Sequence, residues 1–184
     1  MNIEAPRVYI MGIKHSGKST IGAMLARHVG GAFIDLDDVI LQRFSSNRRG
    51  LLTSVREVYR TLGPQGFAQI EAEAARQVSA YPVQHKGVQI VALGGGTIEN
   101  QRAMNCLNAS GVFLYLVQQE QVLYRRIIQG GVPPFLDSAD PEASFHELFL
   151  RRDALYRQRA DCVVDISNKN LAESLTAVIQ SLER

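Results

Sequence analysis

Residues 12–19 read Gly-Ile-Lys-His-Ser-Gly-Lys-Ser, an uninterrupted G-x-x-x-x-G-K-[ST]. The motif directly follows a short apolar run (Val8-Tyr9-Ile10-Met11) and opens an amphipathic one (Thr20-Ile21-Gly22-Ala23-Met24-Leu25-Ala26). A strand that feeds a glycine loop and then a helix is the setting in which this pattern binds phosphate. The glycines let backbone N–H groups turn inward around phosphate oxygens, and the helix N-terminus adds partial positive charge. On this reading Gly12, His15, Ser16, Gly17, Lys18, Ser19 and Thr20 surround a nucleotide. Lys18 neutralises the β- and γ-phosphates, and the Ser19 hydroxyl ligates Mg²⁺, so ATP and Mg²⁺ are the expected cosubstrates. Lys14 and His15 fill the variable part of the loop, where contact with phosphate and exposure to solvent both stay open.

A loop of this kind needs a sheet to stand on, and the rest of the chain supplies one. Short apolar runs at Arg7–Met11, Ala32–Ile34, Val88–Leu93, Val112–Val117 and Cys162–Ile166 read as strands. Helix-like segments lie between them: Lys18–His28, Asp38–Phe44, Val55–Leu62, Phe67–Ala80, Gln101–Leu107, Glu120–Ile128, Ser144–Arg159 and Leu171–Leu182. Alternation of this sort predicts parallel βαβ units with right-handed crossovers, hence an α/β three-layer sandwich. No repeat or linker interrupts the 184 residues, so residues 1–184 are expected to form a single domain. Two stretches resist assignment. Ser45–Leu52 is polar and contains glycine, and Gly130–Pro141 holds two glycines and three prolines. A loop as long as the second is usually functional, and beside a nucleotide it suggests a lid that excludes water.

Composition narrows the class. A formal charge of +2 is too small for a nucleic-acid surface, and the pairs Arg48-Arg49 and Arg151-Arg152 are short. No apolar run approaches the ~20 residues of a membrane span, and the N-terminus lacks a signal-peptide pattern. Cys106 and Cys162 show no metal or redox spacing and read as buried thiols. The expectation is a cytoplasmic monomer that binds neither membrane nor nucleic acid.

Transfer of phosphate to an alcohol needs a group beside the attacking hydroxyl and something to hold the metal. Ala32-Phe33-Ile34-Asp35-Leu36-Asp37-Asp38 is a short strand ending in carboxylates. Ligands lie beyond the carboxyl ends of parallel strands, where the phosphate loop also opens. Alternation along extended backbone points Asp35 and Asp37 to the same side. Asp35 is then assigned to the water shell of Mg²⁺, Asp37 to the acceptor hydroxyl, and Asp38 to capping the next helix. Gly94-Gly95-Gly96-Thr97 follows the most apolar strand. Three glycines there let a ligand approach bare backbone, and Thr97 or Asn100 caps the helix beyond.

Taken together, these pieces resemble the shikimate kinase family over nearly the full length of the chain. The shared motifs are the loop Gly12–Ser19, the D-x-D of Asp35-Leu36-Asp37, the triple glycine Gly94-Gly95-Gly96, and R-x-x-x-Y as Arg152-Asp153-Ala154-Leu155-Tyr156. The resemblance implies a five-stranded parallel sheet of order 2-3-1-4-5 and transfer from ATP to a ring hydroxyl of a small carboxylic acid, a step of aromatic amino acid biosynthesis. By position, Lys18 and Asp37 are catalytic, while Asp37, Gly94, Gly95, Gly96 and Arg152 bind the acceptor. Arg152 grips its carboxylate. The same resemblance places an acceptor-binding helical segment at about 38–80 and matches Arg125 to an arginine that packs on adenine, with a solvated helix face as the alternative.

Two departures touch the acceptor half. The family's G-E-x-x-F-R-x-x-E appears as Gly63-Pro64-Gln65-Gly66-Phe67-Ala68-Gln69-Ile70-Glu71, so the arginine that also binds the acceptor carboxylate is Ala68. The lid pattern R-P-L-L reads Pro133-Pro134-Phe135-Leu136, without its arginine; Lys14, Arg126 or another arginine of the lid region is left to replace it. Shikimate itself and an altered acceptor are therefore both open. A catalytically weak nucleotide-binding regulator and a gluconate-type or nucleoside monophosphate kinase are the competing readings. The last is opposed by the absence of arginine from Gly130–Pro141.

Overall fold

All five apolar runs form strands. The computed structural model describes residues 5–46, 54–82, 87–107 and 111–183. Among them β1 (Arg7–Met11), β2 (Ala32–Asp35), β3 (Gln89–Ala92), β4 (Val112–Val117) and β5 (Cys162–Asp165) make one sheet. Every neighbouring pair is parallel, in the order β2-β3-β1-β4-β5. The helices are α1 (Lys18–Val29), α2 (Leu36–Ser46), α3 (Val55–Ala80), α4 (Gln101–Leu107), α5 (Glu120–Ile128), α6 (Pro141–Arg159) and α7 (Leu171–Leu182).

The sheet sorts its side chains by the two-residue period of extended backbone. From β1, Val8 and Ile10 enter an apolar cluster with Ile21 and Leu25 of α1 and Val178 of α7. Tyr9 and Met11 point the other way, into a larger cluster with residues of α2, α3, α4, α5 and α6. Both faces of the central strand are thus dry, as a parallel sheet with crossover helices requires. The carboxyl ends of β1, β2 and β3 are left open at one edge.

The structure departs from the sequence reading in four places. Helix α2 begins at Leu36, immediately after β2, so Asp37 lies in a first helical turn and not on extended backbone. The two helices expected at Val55–Leu62 and Phe67–Ala80 are the arms of α3, separated at Gly63 (φ 67°, ψ 178°), where Pro64 follows and opens the second arm. Helix α6 starts at Pro141 and not Ser144, because the Asp140 side chain accepts the Ala143 N–H at 3.0 Å and caps it. Cys106 and Cys162 are only partly buried.

Residues 130–140 form neither helix nor strand, as the sequence reading expects, and Leu136 is buried in the larger apolar cluster. Of Ser45–Leu52, Ser45 and Ser46 finish α2. Residues 47–52, including Arg48-Arg49, lie outside the described residues. Among the described residues, no helix is long and apolar enough to cross a membrane.

Candidate active site

The phosphate loop leaves β1 at Met11 and enters α1 at Lys18. Gly12 has a φ of 153°, and a Cβ there would meet Ser16 Oγ at 2.8 Å and the Leu116 carbonyl at 2.9 Å. Only glycine lets the chain turn so sharply under the loop. His15 has a φ of 64°, a left-handed conformation that histidine tolerates better than most side chains. Its carbonyl accepts Arg126 Nη1 at 2.9 Å, so α5 braces the rim of the loop. Ser16 Oγ is buried and unpartnered. A buried hydroxyl beside a ring of backbone amides at a helix N-terminus is suited to phosphate oxygens, so the residues fit a nucleotide.

Lys18 is buried, and its Nζ donates to the Ile13 carbonyl at 2.9 Å. Burial lowers its pKa from 10.5 to about 8, opposed by the negative charges of Asp37 and Asp35. Ser19 Oγ donates to Asp35 Oδ2 at 2.6 Å, while Asp35 Oδ1 accepts the Asp37 N–H at 3.0 Å. One carboxylate thus joins the loop hydroxyl to the start of α2. The helix cap expected of Asp38 is supplied by Asp35, because the chain turns helical one residue after it. An oxygen pair at the edge of a phosphate site fits Mg²⁺, which keeps several waters and takes few protein ligands. No group of three His, Cys, Asp or Glu residues gathers as a metal cage among the described residues.

Asp37 faces the same cavity, about 530 Å³, which Lys14, His15, Lys18, Ser19, Asp35 and Gly95 also line. Desolvation and the neighbouring Asp35 charge raise the Asp37 pKa from 3.8 to about 6, against the pull of Lys18. His15 is pushed down by desolvation and by Lys14, Lys18 and Arg126, and stays neutral near pH 7. Thr20 and Gly17 line the cavity as the motif predicts. Arg126 lines it too, whereas Arg125 lines a separate cavity of about 320 Å³ between α5 and α6, with Tyr124, Glu142 and Phe145.

The triple glycine closes the far wall. A Cβ on Gly95 would stand 2.7 Å from the Lys14 N, so the two loops touch backbone to backbone. The Gly95 carbonyl accepts both Arg152 Nη1 at 2.8 Å and the Tyr156 hydroxyl at 2.7 Å. Two residues four apart lie on one face of α6, and this explains the R-x-x-x-Y spacing. Tyr156 is itself fixed by stacking on Tyr115, with centroids 4.8 Å apart.

Sequence reasoning missed the polar layer beneath these glycines. Glu71 of α3 is buried and accepts Thr97 Oγ1 at 2.6 Å and Asn100 Nδ2 at 2.7 Å. Asn100 also reaches the Ala68 carbonyl at 2.8 Å and caps α4 through the Ala103 N–H at 3.2 Å. The signals were Glu71, which survives beside the lost arginine at Ala68, and the cap expected of Thr97 or Asn100, which Asn100 supplies. Glu99 gave none; it binds Arg152 Nη2 and Arg151 Nε, each at 2.7 Å.

The model of the family described as shikimate kinase matches residues 14–183. The chain belongs to the shikimate kinase family. Among curated relatives, the shikimate kinase of Psychrobacter sp. is 29% identical over 184 residues, covering 100% of this chain and 96% of the relative. That of Halorhodospira halophila is 31% identical over 177 residues, covering 96% and 93%. Among solved structures, shikimate kinase from Acinetobacter baumannii in complex with shikimate has a TM-score of 0.81 at 23% identity, covering 96% of this chain and 92% of that one. A gluconokinase from Sinorhizobium meliloti has a TM-score of 0.56 at 18% identity, covering 97% and 91%. The structural likenesses establish the α/β fold with its sheet order, and the family match places the chain among ATP-dependent kinases.

Proposed function

We propose that this chain transfers the γ-phosphoryl group of ATP to a hydroxyl of a small metabolite bound between the phosphate loop and the triple glycine. One observation supports this above the others: Asp37, raised to about 6, shares a cavity with Lys18 and the Ser19–Asp35 pair. A carboxylate near neutrality can take a proton from an attacking alcohol and give it up to water afterwards.

The remaining roles follow from position. The loop amides and Ser16 Oγ hold phosphate oxygens. Lys18 spreads charge that grows on the transferring group, and Lys14 and Arg126 on the same cavity add to it. On this reading the two replace the arginine that the lid segment lacks. Ser19 and Asp35 are the residues that would hold Mg²⁺, which neutralises phosphate charge when bound. Gly94, Gly95, Gly96 and Arg152 form the acceptor wall. The Acinetobacter baumannii relative is in complex with shikimate, which supports a small hydroxylated acceptor here.

The test is Asp37→Asn, which keeps the side-chain shape and removes the base. It is expected to lower transfer by ~10²–10⁴ while leaving nucleotide affinity within about two-fold. Full transfer in that variant contradicts the assignment. The lid segment without arginine favours one other reading, a weakly catalytic nucleotide-binding protein. Tight ATP binding with no transfer to any hydroxylated acceptor would be its mark.

A further inference from the structure

Charges of both signs line the cleft. Lys14, Lys18 and Arg126 share it with Asp35 and Asp37. Around the triple glycine, Asp37, Glu71 and Arg152 approach the backbone, Tyr156 binds the Gly95 carbonyl, Lys14 lies against Gly95, and Glu99 is held by Arg151 and Arg152. A Cβ on Gly94 would lie 3.3 Å from Asp37 Oδ1 and 3.4 Å from Glu71 Oε1, and one on Gly96 would lie 3.3 Å from Arg152 Nη2. Two carboxylates and one guanidinium therefore reach the glycine backbone that an acceptor would touch.

That guanidinium is already used. Its side chain is 13% exposed, and all three nitrogens have partners within the chain. Nε and Nη2 both donate to Glu99 Oε2, at 2.9 and 2.7 Å, and Nη1 donates to the Gly95 carbonyl at 2.8 Å. Glu99 Oε1 takes Arg151 Nε at 2.7 Å, so the carboxylate is clamped from both sides. Burial pushes the Glu99 carboxyl up, but the hydrogen bonds from Arg151 and Arg152 outweigh it and hold the group ionised. Glu99 belongs to the one-turn helix Thr97–Glu99 directly after the glycines, so its position is fixed by the same backbone that forms the wall.

We propose that the acceptor is an uncharged polyol, and that Glu99 excludes carboxylate-bearing acceptors by neutralising Arg152 from within. An incoming carboxylate would have to displace Glu99 from a two-point ion pair and then sit beside Asp37. Like charges in one desolvated site repel strongly. A neutral polyol meets no such barrier, because Asp37 accepts a hydroxyl proton and no second carboxylate is brought beside it. Glu99 is here a positioning residue that acts through Arg152. The proposal rests on the phosphotransferase reading.

The test uses the full chain loaded with Mg²⁺ and a non-hydrolysable ATP analogue. Calorimetry then compares shikimate with its methyl ester, quinate with its methyl ester, and gluconate with sorbitol. Within each pair the hydroxyls are retained or closely matched and the negative charge is removed. The neutral member is expected to bind at least ~10-fold more tightly, and Glu99→Gln to shrink that ratio by ~10-fold or more through the charged member. A wild-type preference for the carboxylates, a ratio unmoved by Glu99→Gln, or no binding by any neutral member overturns the proposal. The ratio separates this role from mere support of the fold, which would weaken both members alike. ADP release is then followed with the tightest ligand. A neutral ligand that binds without transfer refutes the kinase reading and leaves the charge preference standing; a transferred carboxylate does the reverse.

Discussion

Ser19 Oγ and Asp35 Oδ2 lie 2.6 Å apart, a hydrogen bond that ties the end of the phosphate loop to the end of β2. The same carboxylate holds the Asp37 N–H through its other oxygen. Asp35 thus has two duties, one electrostatic and one as a helix cap. Asp35→Asn keeps an oxygen for the cap and loses the charge, so the Mg²⁺ concentration at half-maximal rate should rise ~10-fold or more while Tm stays close to wild type. Asp35→Ala should add a loss of about 0.5–2 kcal/mol of stability. An unchanged Mg²⁺ requirement in both variants contradicts the metal assignment.

Lys18 is buried, its hydrogen bond goes to the Ile13 carbonyl, and the Asp35 and Asp37 charges act on it; on the proposed reading its other N–H donors meet phosphate. Lys18→Ala should reduce turnover by ~10²–10³ or more, with circular dichroism unchanged. The measurement is steady-state ADP release beside a far-ultraviolet spectrum. Near-normal turnover would remove Lys18 from the mechanism.

The two shifted groups bracket neutrality. Asp37 must be ionised to accept a proton, so activity rises as pH climbs through about 6. Lys18 must stay protonated, so activity falls as pH passes about 8. A plot of kcat/KM against pH, which reports the free enzyme, should therefore be bell-shaped with limbs near those values. In Asp37→Asn the acid limb should vanish from whatever rate remains.

Asp37 also predicts a stability trade-off. Its folded pKa lies above its ordinary value of 3.8, so the native state holds the proton more tightly than the unfolded chain does. Ionising it costs stability as pH rises from about 4 to about 6, and that cost is complete above the folded pKa. At pH 7 Asp37→Asn should therefore stabilise the protein by about 1–3 kcal/mol. Calorimetric melting at pH 7 and pH 4 checks this: the gain should appear at the first and nearly vanish at the second.

Arg56 of α3 donates to the carbonyls of Gly130, Gly131 and Val132, at 3.0, 3.4 and 2.9 Å. This links residues 130–132, the start of the segment proposed as a lid, to α3. Arg56→Ala should speed amide exchange at Gly131 and Leu136, which form turns within the lid, and lower kcat/KM by ~10-fold. Unchanged exchange at both amides would mean that the lid is held by Leu136 alone.

What the sequence revealed depended on the range of the interaction. The strands, the loop and the triple glycine were legible because each is a local pattern of periodicity or spacing. Asp37 was placed correctly beside Asp35 but on the wrong geometry, since nothing in Asp35-Leu36-Asp37 marks the switch from strand to helix at Leu36. The start of α6 was legible in Asp140-Pro141, a cap followed by a first-turn proline, but the proline was absorbed into the lid. Glu99 and Asn100 were not recoverable as site residues. Their partners lie far along the chain, Arg152 and Glu71 among them, and only folding makes them neighbours.

The account is tested most directly by following label from γ-labelled ATP in the presence of small hydroxylated acceptors. It predicts that label appears on an acceptor with the wild-type chain, and that Asp37→Asn binds the nucleotide normally but transfers ~10²-fold less. Label that reaches only water, or reaches the acceptor equally well in both proteins, would contradict it.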